Sequence, residues 1–261
     1  MFVNTDSFAV TSVFIFWVNI RKVGRNASSK SKFFDVVILS KKDVISDQLE
    51  TMPHTSLQQI DLERIPQKKI REFIRYQIKN QITSFDKLAS SCRPGDLMTG
   101  YRFHERVYTC NYPAEQLWKH YLAADPSITW NTSMLTFGLM ISKQEQKVMY
   151  IGDIYAGASV GQVMFVTIEI LGGMVKVPVA HEIIDINPEK RYLEVSYVKG
   201  GKSEGVQRIS FYDNQDQTTR IVHTTYYRSA SWFRDKFLYP FFHTLVINKY
   251  HDNMIKLLND Q

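Results

Sequence analysis

Between residues 148 and 227 the chain leaves a sheet only one way to close. Six segments have strand length and strand composition: Val148–Tyr155, Gln162–Leu171, Val175–Ile186, Arg191–Lys199, Val206–Tyr212 and Thr219–Tyr227. Turn formers separate them, at Gly157 to Gly161, Gly172-Gly173, Asn187-Pro188, Gly200-Gly201 and Asp213-Asn214. A parallel pair needs a crossover of a dozen or more residues, and none of these gaps holds one, so the segments read as successive antiparallel hairpins. After Arg228-Ser229-Ala230-Ser231 the pattern changes period. Leu238, Phe242, Val246, Tyr250, Met254 and Leu258 recur every four residues and form one helical ridge. Arg234, Lys236, His243, Asn248, Lys249, Asp252 and Lys256 fall on the other side, which is expected to face water. Pro240 lacks the N–H that a helix interior needs, so Trp232–Tyr239 is expected as a separate turn or kinked lead-in, with the regular helix over Pro240–Asn259. A sheet followed by one long apolar helix can curl around it and leave a cavity between them.

Upstream, Arg102–Cys110 alternates as a strand, and Pro113–Leu122 reads as a helix with proline in its first turn, ended by Asp125-Pro126. Ile128–Ile141, which contains Trp130, Met134, Phe137 and Met140, reads as a short helix or an irregular wall. Pro66 opens a helical stretch to Ile82 with Ile70, Phe73, Ile74, Ile78 and Ile82 on one face and Lys68, Lys69, Arg71, Arg75 and Lys79 on the other. Docking of that helix on its own domain is favoured over peripheral contact with an anionic membrane, because an Ile and Phe stripe is ordinary core material. Ser7–Ile20 is apolar and followed by Arg21, Lys22 and Arg25. It is short for a membrane span and lacks the features of a signal peptide, so a buried strand is favoured over an anchor. Asn26–Lys32 reads as a linker and Phe33–Leu39 as a further strand. The expected organisation is an N-terminal segment and linker (1–32), an extension with the basic helix (33–98), and a domain over 99–261 that folds by itself from Tyr101.

With 44% hydrophobic and 13% aromatic residues the chain can bury a sizeable core, and its charge of +6 over 261 residues is only mildly basic. That balance admits anionic partners without requiring them. No recognition motif interleaves with the positive charge, which disfavours nucleic acid. Cys92 and Cys110 form no Cys-x-x-Cys, so neither a zinc site nor a disulfide framework follows, and a reducing, cytoplasmic setting fits. The sequons at Asn26 and Asn131 matter only in a secreted chain. Gly200-Gly201-Lys202-Ser203 fails as a phosphate loop, since the first glycine of that motif would fall at Ser196 and the segment leads into a strand. His181-Glu182 lacks the second histidine of a zinc-peptidase motif, and no Gly-x-Ser-x-Gly elbow is present. His243 and His251, eight apart, share a helical face without a cysteine or carboxylate motif beside them. No metal and no cofactor are implied.

Three stretches carry a resemblance. C-N-Y-P-A-E-Q-L-W (Cys110–Trp118) resembles the opening strand-to-helix step of the START-like superfamily, the helix-grip fold of polyketide cyclases, lipid-transfer domains and the birch-pollen allergen. E-I-I-D-I-N-P-E-K-R-Y-L (Glu182–Leu193) resembles its strand, proline turn and strand, and T-R-I-V-H-T (Thr219–Thr224) its step before the last helix. The resemblance spans Tyr101 to Asp260 and leaves the first hundred residues without a counterpart. It implies an α+β fold in which a curved antiparallel sheet wraps around the long C-terminal helix, behind an N-terminal extension. It also implies that the face of Thr219–Tyr227 carrying Ile221, His223, Thr225 and Tyr227 points inward. Ligand-contacting residues are then expected at Trp130, Met164, Tyr197, Phe211, His223, Tyr227, Phe242, Val246 and Tyr250. The leading function is binding or carriage of a hydrophobic small molecule, a lipid, fatty acid or aromatic metabolite. One alternative is a cyclase, aromatase or isomerase in which His223 with Tyr197 or Tyr227 moves protons. The other is an interaction module docking through the basic helix. If side chains fill the cavity, the same residues are core.

Overall fold

The computed structural model describes residues 56–214 and 216–260. The expectations for Ser7–Ile20, Asn26–Lys32 and Phe33–Leu39 lie outside them. By its internal contacts the chain divides into Met1–Met52 and Pro53–Gln261, and the second unit is the one described. Its helices are α1 (Lys68–Lys79), α2 (Ala114–Ala123), α3 (Pro126–Thr129) and α4 (Tyr239–Asn259). Its strands are β1 (Arg102–Cys110), β2 (Leu135–Ser142), β3 (Lys147–Tyr150), β4 (Gln162–Ile170), β5 (Val175–Asn187), β6 (Tyr192–Tyr197), β7 (Glu204–Asp213) and β8 (Thr219–Arg228). They form one eight-stranded sheet in the order β1-β8-β7-β6-β5-β4-β2-β3, with every pair antiparallel. The short gaps make β4 to β8 a run of hairpins, as the turn spacing requires. β1 closes on β8 and β2 on β4, so the chain passes from one end of the sheet to the other through α2 and α3. This is the helix-grip arrangement, with α4 lying against the inner face.

Ile128–Ile141 is not a helix or an irregular wall: α3 ends at Thr129 and Leu135–Ser142 is a strand. Seven of the eight residues of β2 are buried, so both of its faces are apolar and no polar alternation marks it as a strand. The expected strand Val148–Tyr155 stops at Tyr150, where the Asp153 carboxylate accepts the Tyr150 N–H at 2.9 Å and Gly152 turns the chain at φ +88°.

The lead-in to α4 is a π-helical turn at Arg234–Leu238, with Pro240 in the first turn of the α-helix behind it. The wider turn breaks the four-residue phase. Val246, Tyr250, Met254 and Leu258 of the expected ridge are buried and Phe242 is half-buried, while Leu238 is exposed. His243 is not on the water-facing side. It is buried, with its ring nitrogens against the buried Gln207 and the half-buried His104.

Pleating gives the sheet two working faces. Along β4, Met164 and Ile168 point to the side of α4, whereas Val163 and Phe165 pack with Ile70, Phe73 and Ile74 of α1. On the inner face Leu117, Trp118 and Tyr121 of α2 join Leu193, Ile209, Phe211 and Ile221 of the sheet and the buried side of α4. On the outer face residues 57–88 supply Leu57, Ile60, Ile65, Phe85 and Leu88 to a cluster with Leu139, Ile141, Ala180 and Val198. The basic helix therefore spends its apolar stripe on its own sheet. Polar contacts hold the same layer in place. Ser90 bridges Val198, and Lys143 and Ser90 both bind the Glu182 carboxylate, at 2.6 and 2.5 Å. The boundary drawn at residue 98 falls inside this unit. Cys92 is buried, Cys110 is half-buried, and both are free thiols.

Candidate functional site

Two neighbouring chambers that share wall residues lie between the sheet and α4. The inner one, of about 100 Å³, is bounded by β4 to β8, α2, α3 and α4, and the outer one, of about 250 Å³, lies where β4, β5 and β6 meet the start of α4. Ile168, Tyr197, His243 and Val246 border both. Trp130, Met164, Tyr197, His223, Val246 and Tyr250 line the inner chamber, and Phe242 lines the outer one. Phe211 and Tyr227 line neither. Both sit on the inward face, but other elements cover them there. Phe211 packs edge-on against Trp118 and Tyr121, at 5.8 and 4.8 Å between ring centroids. Tyr227 stacks on Tyr239 at 3.7 Å and donates its hydroxyl to the Asp235 carbonyl at 2.9 Å.

Most of the lining is apolar, and one part of it is a polar cluster. There, five of the seven histidines meet in a single network with Gln207 and three tyrosines. His223 Nδ1 is 2.9 Å from His251 Nε2, and His251 Nδ1 is 2.7 Å from the Tyr121 hydroxyl. His223 Nε2 is 2.9 Å and His243 Nε2 is 3.4 Å from one end of the Gln207 amide. The other end lies 3.0 Å from the Tyr197 hydroxyl and 3.1 Å from His181 Nε2. Tyr197 and Tyr239 share a hydrogen bond of 2.5 Å between their hydroxyls. His243 Nδ1 is 3.3 Å from His104 Nδ1, and His104 Nε2 is 3.0 Å from the Thr244 hydroxyl. One ring nitrogen is left over: His181 Nδ1 is buried without a hydrogen-bond partner.

Burial keeps these imidazoles neutral. It pushes His181 down to about 4, and burial together with the neighbouring His104 and His181 pushes His223 down to about 3. His243 and His251 are held well below the usual histidine range for the same reason, His243 also by His223, His104 and His181. A neutral imidazole has one donor and one acceptor, so the bonds must run head to tail, and two directions satisfy them. In one, the Gln207 oxygen accepts from His223 and His243, His251 donates to His223, Tyr121 donates to His251, and the proton of His181 is on Nδ1. Turning the Gln207 amide over reverses every bond: the NH₂ group donates to His223 and His243, the oxygen accepts from Tyr197 and His181, and His181 Nδ1 is a bare lone pair. The Thr244 hydroxyl accommodates both, since it can donate to the Pro240 carbonyl at 2.8 Å or to His104. Whichever way the network runs, His181, a residue of the chamber wall, keeps one ring nitrogen, Nδ1, as an unengaged donor or acceptor.

This arrangement orients better than it catalyses. An imidazole whose conjugate acid titrates near 3 or 4 is a poor general base at neutral pH, and both ring nitrogens of His223 are already engaged. Among the described residues no group of three or more His, Cys, Asp or Glu is placed to hold a metal ion.

No protein-family model matches the chain, and no curated protein matches it. Solved structures do. Norcoclaurine synthase from Thalictrum flavum is 16% identical over 63% of this chain and 98% of that one, with a TM-score of 0.46. Major latex-like protein 151 from Panax ginseng is 12% identical over 59% of this chain and 95% of that one, with a TM-score of 0.43.

Proposed function

We propose that this helix-grip chain binds a small, largely apolar molecule between its sheet and α4, with one polar group of the ligand hydrogen-bonded to His181. The observation that carries the reading is a mainly apolar chamber walled in part by neutral polar groups, among them His181, whose Nδ1 has no hydrogen-bond partner. A buried polar atom without a partner costs about 1–3 kcal/mol, which a ligand hydroxyl or carbonyl would recover. Apolar contact supplies the rest, at about 25 cal/mol for each Å² removed from water. Size narrows the class. The inner chamber, about 100 Å³, is small beside the roughly 300–1,000 Å³ of pockets for drug-sized ligands. It suits a compact aromatic molecule better than an acyl chain, which would have to thread into the outer chamber past Tyr197 and Val246. Neutral histidines favour binding over the proton-moving alternative.

Calorimetric titration with 1-naphthol and naphthalene tests this. Naphthol should bind the wild type about five- to tenfold more tightly than naphthalene, the worth of one hydrogen bond. His181→Phe should abolish that preference while naphthalene still binds, and Val246→Trp, which adds bulk to a wall that both chambers share, should weaken both ligands. If the wild type binds neither compound, the reading is wrong.

A further inference from the structure

The start of α4 exposes what a helix normally hides. Trp232, Phe233, Phe237, Leu238, Phe241 and Leu245 are between 38% and 61% exposed. Across the π turn the Phe237 ring centre lies 5.9 Å from that of Trp232 and 5.3 Å from that of Phe233, and Phe241 and Leu245 continue this outward ridge along α4, beside the buried one. Soluble surfaces seldom carry so many large apolar side chains in one contiguous stretch without a partner for them.

The charges around the ridge identify that partner. The single acid of the stretch, Asp235, is buried, and its carboxylate accepts from the backbone and hydroxyl of Ser229, both at 2.6 Å. Lys202 and Lys236 remain at the surface, while the half-buried Arg234 lies 3.7 Å from the Asp235 carboxylate and donates to the Ser203 hydroxyl at 2.6 Å. The Lys236 ammonium lies 4.8 Å from the Trp232 ring centre and 5.2 Å from that of Phe237. Arg234 and Lys202 border the outer chamber, whose rim also includes Leu238 and Phe242 of the same stretch. Aromatic side chains interleaved with cations, with no exposed acid in the stretch itself and the neighbouring Glu204 paired to Arg228 at 2.9 Å, suit the boundary between anionic headgroups and acyl chains. α1 has no such combination, because its apolar stripe is buried and only its charge is left.

We propose that the ridge Phe233–Leu245 docks the protein on an anionic lipid surface and holds the mouth of the outer chamber against it. The docking rests on the ridge alone; the transfer of an apolar molecule between membrane and chamber rests in addition on the ligand reading above. A protein partner seated on the ridge would close that mouth, whereas a membrane is a source of apolar molecules.

Flotation of the full chain with phosphatidylcholine vesicles, with and without phosphatidylserine, tests the proposal. The wild type should float with the phosphatidylserine vesicles and much less with the neutral ones. Phe237→Ser combined with Phe241→Ser should lower the affinity at least about tenfold, given the apolar area two rings carry. Both side chains are exposed, so the melting temperature and naphthol affinity should not change. Undiminished flotation of the double variant overturns the proposal, as does a loss of binding that follows Lys68→Glu with Arg75→Glu on α1 instead. A wild type that ignores both vesicle types but dimerises through the ridge assigns the surface to a second copy of the chain. If vesicles recruit the wild type through the ridge while naphthol does not bind, the docking stands and the ligand reading falls.

Discussion

A buried imidazole held neutral ties the stability of a protein to acid. In the unfolded chain His181 and His223 titrate near the ordinary value of about 6.5, whereas folding lowers them to about 4 and about 3. Between those limits the unfolded chain binds more protons than the folded one. Their contribution is complete above about pH 6.5 and declines by about 1.4 kcal/mol per pH unit for each histidine as the pH falls towards the folded values. His243 and His251 add to it in the same direction. The urea midpoint should therefore drop steeply between pH 7 and pH 5, and His181→Phe should flatten that slope. A midpoint constant over this range would mean that the histidines acquire charge partners on protonation. Little of this network is legible in the sequence. Strand alternation does put His223 on the inward face, and the spacing of His243 and His251 does put them on one side of a helix. The partners, however, come from β1, β5, β7, β8 and α4 across some 140 residues, and Gln207 carries no local sign of its role. A count of histidines on inward faces, taken together and not singly, was the signal that could have found the cluster.

At the scale of elements, periodicity succeeds where one face of an element meets water and fails where neither does. The strands from β4 to β8, together with β1, α1, α2 and α4, are legible for the first reason, and β2 is not for the second. One residue of β2 explains its close cover. A Cβ built on Gly138 would lie 2.3 Å from Ile70 Cδ1 and 3.3 Å from the Gln67 side chain, so glycine is what lets α1 approach the strand. Gly138→Ala should force Ile70 out of its place and destabilise the fold by about 1–3 kcal/mol, as overpacking commonly does. Combining it with Ile70→Val, which removes the clashing methyl, should recover part of that loss in chemical denaturation. Full additivity of the two costs would show that the contact is not the cause. The π turn before α4 is a subtler case. Pro240 marks the break in the helix, but nothing in the sequence gives the turn its width, which turns Leu238 outward, whereas His243 faces in because it stands three and seven residues before Val246 and Tyr250 on one face of α4.

At the scale of the whole molecule, the sheet carries ligand-sized space on one face and a solid layer on the other. The resemblance in the sequence begins at Tyr101, and from it the layer formed by residues 57–92 reads as an appendage, because a family pattern shows only the part that a family shares. The packing argues for a different dependence. Without the layer, Leu139, Ile141, Val163, Phe165 and Val198 would lose their cover on the outer face. Exposing a large apolar side chain costs about 1.5–3 kcal/mol, so the five together are comparable with the whole net stability of a domain, about 5–15 kcal/mol. The Glu182 carboxylate would at the same time lose Ser90, and Lys143 would lose the Leu88 carbonyl that it holds at 2.6 Å. A chain truncated to begin at Leu97 should then aggregate or unfold without a cooperative transition, whereas one beginning at Pro53, which keeps the layer, should melt in a single cooperative transition. Calorimetry of both truncations decides the matter: a sharp transition at an unchanged temperature for the Leu97 chain would establish that residues 101–261 fold alone and that the layer contributes nothing the sheet requires.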